Sequence, residues 1–108
     1  MDIKSILKKN LKLSDKSINH HFSNIKDILF FNKKEIDFLY TTPYEVETYL
    51  KTNYNNPLTF KTKLASIVTL LKCLDSTGEI VRAIFIYNTL INGLLFFIKN
   101  SFQNIKIY

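Results

Sequence analysis

Phe60, Leu64, Ile67, Val68, Leu71 and Leu74 follow one another at intervals of four, three, one, three and three residues. A helix of 3.6 residues per turn gathers that spacing into a single stripe, whereas a strand would scatter it over both faces. The stretch from Leu58 to about Leu74 is therefore read as a helix, and no segment of the chain alternates at period two as a half-buried strand would. Thr62, Ser66 and Thr69 fall opposite the apolar stripe, with Lys61, Lys63 and Lys72 at its borders. One face is expected to pack and the other to be free to meet phosphates.

The remaining punctuation is also helical. A short helix over about 2–9 offers Ile3, Ile6 and Leu7 to the interior. A second begins after Ser14, a good N-cap, and by about residue 31 has placed Ile18, Phe22, Ile25 and Leu29 on one face. Its outer side carries Lys16, Asn19, His20, Ser23 and Lys26. Thr42-Pro43-Tyr44-Glu45 combines a capping box with proline at the first helical position, so a third helix starts there and buries Val46, Tyr49 and Leu50. Asn53–Pro57 is a polar connector, and Asp75-Ser76-Thr77-Gly78 separates the helix over 58–74 from a last one at about 79–100. The expected architecture is a single all-α domain over 1–108, a compact bundle of about five helices.

Charge is distributed unevenly along this order. Residues 1–34 hold eight lysines against Asp2, Asp15 and Asp27, a net charge of +5. Residues 35–58 carry −3, residues 59–74 carry +3, and the rest adds +1. Two basic segments thus flank an acidic one, as in a protein whose two helices share a phosphate-facing surface. The sum itself says less: 14 lysines against one arginine, with abundant Asn, Ile and Tyr, is the residue usage of an AT-rich genome. The one cysteine, Cys73, excludes an internal disulfide and fits a reducing compartment. Met1–Leu13 is charged and lacks the apolar core of a signal peptide, so an intracellular location is expected.

Taken in order, these motifs resemble the N-terminal core-binding domain of tyrosine recombinases and phage-type integrases, over roughly residues 10–100. That family opens with Ser-x-x-Thr-hydrophobic-x-x-Tyr-x-x-x-Leu, where this chain has Ser14, Ser17, Ile18, His21 and Ile25. Ser17 and His21 depart from the usual Thr and Tyr. A Thr-started helix ending in Tyr-Leu follows, as Thr42, Val46, Tyr49 and Leu50 do; then a Thr, five residues later Leu-Ser-Ala-hydrophobic, echoed by Thr59, Leu64, Ala65, Ser66 and Ile67. The resemblance implies a SAM-like helical fold and a domain that clamps double-stranded DNA through its second and fourth helices. Those helices correspond to the two basic segments. The candidate DNA-binding residues are then Lys16, Asn19, His20, Ser23, Lys26, Lys61, Thr62, Lys63, Ser66, Thr69 and Lys72, contacting phosphate without reading bases.

Catalysis is not expected. Recombinase chemistry needs several arginines and a tyrosine nucleophile, and the chain has only Arg82; two glycines, Gly78 and Gly93, cannot build a phosphate-cradling loop or a dinucleotide fingerprint. No cofactor is implied. His20 and His21 point about 100° apart on a helix, with no accompanying carboxylate or cysteine cluster, so a metal site is not expected. Ile80–Ile98 approaches bilayer-spanning length with Arg82 as its single charge, but Arg82, Asn88, Thr89, Asn92 and Lys99 share one arc, against a membrane span. Phe85 and Phe96 lie within the same polar arc. Phe85, Thr89, Asn92 and Phe96 are therefore the candidate partner interface, for a homo-oligomer or a missing catalytic domain, and a helical protein-interaction module is the alternative function.

Overall fold

Side-chain caps begin four of the helices, and prolines in the first turn reinforce two starts. Asp2 accepts from the Lys4 amide at 3.1 Å, Ser14 from the Ser17 amide at 3.3 Å, Asn56 from the Leu58 amide at 2.9 Å and Thr77 from the Ile80 amide at 3.3 Å. The computed structural model describes residues 2–106, with side chains at 2–31 and 33–95. It contains α1 (Ile3–Asn10), α2 (Asp15–Asn32), α3 (Phe38–Thr41), α4 (Pro43–Asn53), α5 (Pro57–Leu71) and α6 (Gly78–Lys106), and no strand among the described residues. The chain is all-α, as its periodicity predicts, but with six helices rather than five.

The additional helix, α3, is four residues long, too short for a 3.6-residue repeat to register. Its Phe38 and Leu39, with Ile36 just before, are buried. Thr42 then departs from the expected capping box. Its side chain makes no cap hydrogen bond to α4; its hydroxyl donates instead to the Phe38 carbonyl at 2.7 Å, closing α3. Pro43 at the first position, with φ preset, starts α4 without that cap. The end of α2 carries no glycine, yet Lys33 adopts the left-handed conformation (φ 52°, ψ 46°) so that its amide and that of Lys34 reach back to the Leu29 carbonyl.

Helix α5 is the centre of the bundle, packed against α6, α2 and α1. Phe60, Lys63, Leu64, Ser66, Ile67, Val68, Leu70 and Leu71 are all buried, an arc of about 200° where a surface helix buries about half as much. Ile25, Ile28 and Leu29 of α2, Leu7 of α1, Val46 and Leu50 of α4, and Ala83 and Tyr87 of α6 complete one continuous core. The Tyr87 hydroxyl donates to the Leu39 carbonyl at 2.5 Å and so fastens α3 to α6. Among the described residues no helix is long and apolar enough to cross a membrane.

Candidate nucleic-acid interface

Helices α2 and α5 pair antiparallel through two polar clusters. In the first, the Ser66 hydroxyl, 1% exposed, accepts from Asn24 Nδ2 at 2.9 Å and meets His21 Nδ1 at 2.9 Å. Asn24 Nδ2 also lies 3.4 Å from His20 Nε2, and the two imidazole rings stand 5.9 Å apart. Burial first, and the neighbouring His20 second, hold His21 below its ordinary pKa. The Ser66 hydroxyl can donate to an unprotonated His21 Nδ1 while accepting from Asn24, so both buried polar partners are satisfied.

The second cluster surrounds Asp27. Lys63 Nζ lies 3.4 Å from Asp27 Oδ2 and 4.6 Å above the Tyr54 ring, and the Tyr54 hydroxyl donates to the same carboxylate oxygen. Tyr49 donates to the Asp27 main-chain carbonyl at 3.4 Å. Burial, then the Asp27 carboxylate, raises the pKa of both phenols. Four side chains from α2, α4, α5 and the connector after α4 are thus joined, and the cluster ties three helices together.

These clusters correct the expectation for α5. Ser66 and Lys63 were placed on its outward face and border, but both are buried, with Lys63 8% exposed. The reason is that α2 docks on the flank of α5, widening its buried arc beyond the apolar stripe. Neither residue is available to phosphate. Thr62, Lys72 and Ala65 are exposed, and Lys61 and Thr69 half-buried, so a narrower outer strip remains. Its hydroxyls are not free donors: Thr62 donates to the Leu58 carbonyl at 2.8 Å and Thr69 to that of Ala65 at 2.9 Å.

On α2 the expected residues do face outward: Lys16, Asn19, His20, Ser23 and Lys26 are all exposed. The pairings of Asn24 with Ser66 and of Asp27 with Lys63 fix the register, bringing the start of α2, with Lys16, level with the end of α5, with Lys72. Because both clusters lie on the flanks of the two helices, their outer strips adjoin across the seam. The two faces singled out in the sequence form one surface, less Lys63 and Ser66.

Helix α1 packs against α2 and also meets α5, and nothing in the sequence reading singled it out as a candidate surface. Lys4 Nζ sits 4.7 Å above the Phe22 ring and Lys26 Nζ 6.0 Å from the same ring. Such contacts are worth about 0.5–1 kcal/mol at exposed sites. A groove of about 300 Å³ between the helices is lined by Lys4, Ser5 and Lys8 of α1 and by Asp15, Ile18 and Asn19 of α2. The signal available was the spacing of Lys4 and Lys8, four residues apart on one helical face.

Elsewhere, Phe85, Thr89 and Asn92 of α6 are exposed, Phe85 at 72%, beside an exposed Val81. The side chain of Phe96, the fourth residue of that candidate interface, lies outside the described residues. Cys73 is half-buried against the core; its thiol donates to the Thr69 carbonyl at 3.3 Å, and burial pushes its pKa up, away from a reactive thiolate. No family model, no curated protein and no solved structure matches this chain.

Proposed function

We propose that the protein is a non-catalytic module that binds double-stranded DNA along its phosphate backbone, resembling the core-binding domain of tyrosine recombinases in motif order. The observation that carries this reading is the adjoining of the outer strips of α2 and α5. Lys16, Lys26, Lys61 and Lys72 flank or line that surface, and among the described residues the ion pairs are Lys51 with Glu47 and Lys63 with Asp27, so these four lysines are unpaired. A lysine without an internal carboxylate gains most from a phosphate, whose condensed counterions it releases. Contacts of this kind set position and orientation without discriminating sequence.

The test is fluorescence anisotropy with a labelled duplex of random sequence, titrated at about 50 and 200 mM salt. Binding that weakens steeply between the two, and a flatter salt dependence for Lys16→Glu with Lys72→Glu, is the expected result. Absence of binding at low salt refutes the reading. The function would then pass to protein interaction through α6, the reading favoured by the large apolar side chains of Val81 and Phe85 standing exposed there.

A further inference from the structure

We propose that α1 is a third element of the DNA-binding surface: a phosphate strand of the duplex runs beside the α1–α2 groove and is held there by Lys4 and Lys8 together with Lys26. This inference rests on the DNA-binding reading and extends it to a helix outside the two that carried it.

Three observations converge on the groove. Lys4 and Lys26 come from different helices yet are held against the same ring, that of Phe22. Two positive charges are thereby gathered around one side chain, where a polyanion can meet both. Next, the opposing charge lining the groove is sparse. Asp15 is the acidic side chain lining the groove, while Asp2 lies outside that lining and caps α1 through the Lys4 amide and the Ser5 hydroxyl, at 3.1 and 2.9 Å. Last, Lys4 and Lys8 stand one helical turn apart, about 6 Å along α1, on the side facing the groove. Helix α1 packs against α2 and also meets α5, so its exposed lysines stand close to both helices of the proposed surface.

The occupant is a duplex rather than a compact anion. The lysine heads are exposed and spread along two helices, with no enclosed pocket to desolvate a single phosphate group. Spread charges of this type act on a repeating line of phosphates.

The experiment compares the unaltered chain with Lys4→Glu/Lys8→Glu, Lys4→Gln/Lys8→Gln and Lys51→Glu/Arg82→Glu, each checked for helix content by circular dichroism. Duplex affinity is read by anisotropy at about 50 and 200 mM salt. The third pair carries the same charge change as the first but sits on α4 and α6. The α1 glutamine pair should bind about tenfold more weakly at the lower salt, and its log–log salt slope should fall by roughly two. The glutamate pair should lose more, and the α4/α6 pair should stay close to the unaltered chain. Binding by both α1 variants within about twofold of the unaltered chain overturns the inference while leaving the α2–α5 reading standing. An equal loss from the α4/α6 pair overturns it too, since net charge alone would then be acting. No duplex binding by the unaltered chain overturns both. If poly-glutamate displaces the duplex at equal charge concentration, the groove takes acidic polymers in general and the assignment to a duplex fails.

Discussion

Ser66 is the residue whose surroundings decide most. In a list of side chains it is a small hydroxyl on the polar side of a helix; in the fold it is the shared partner of His21 and Asn24. Ser66→Ala leaves both without it in a part-buried seam, and should lower unfolding free energy by about 1–3 kcal/mol, read from the urea midpoint. His21 adds a pH dependence of known sign. Its folded pKa lies below the ordinary 6.5, so the unfolded chain binds the proton more tightly. The stability it contributes is present above that ordinary value and drains away as pH falls toward the folded one. The urea midpoint should therefore drop from neutral to mildly acidic pH, and His21→Asn should shrink the drop. An equal drop in the variant would assign the effect to other groups. Nothing in the residue string marks Ser66 as buried and Thr62, four residues earlier on the same side, as exposed. Proximity to α2 makes the distinction.

At the scale of elements, helix starts were more legible than helix ends. Ser14, the polar connector before Pro57 and the Asp75–Gly78 segment each lie where a helix stops or starts, because a cap is a local interaction between a side chain and amides two or three residues on. The end of α2 is different. Its left-handed residue is Lys33, a position where a Cβ costs about 1 kcal/mol or more and glycine carries no such steric penalty. Lys33→Gly is thus expected to raise the thermal midpoint, and a lowered midpoint in a calorimetric scan would show that the lysine has a compensating role there. The short α3 and the unused Thr42 cap share one cause. The chain between α2 and α4 is held by Ile36, Phe38 and Leu39 entering the core and by the bond from Tyr87, none of which is a local signal.

For the whole molecule, one core touches all six helices, and the polar seam between α2 and α5 is contiguous with it. Unfolding should accordingly be a single cooperative step, with far-ultraviolet circular dichroism and tyrosine fluorescence giving the same midpoint. Separate midpoints would mean that a part of the bundle, such as α6 with its exposed outer face, melts alone. The chain has six tyrosines and no tryptophan, so its intrinsic fluorescence is that of tyrosine. The sequence by itself determined the all-α class, most helix starts, the apolar stripes and the outward face of α2, because periodicity and capping are properties of neighbours along the chain. Only the tertiary structure decided that α5 is buried on a flank as well as on its stripe, that Lys63 and Ser66 turn inward, and that Lys4 of α1 and Lys26 of α2 meet at Phe22. Those outcomes depend on which helix docks beside which, and docking is settled by the packing of side chains far apart in the sequence.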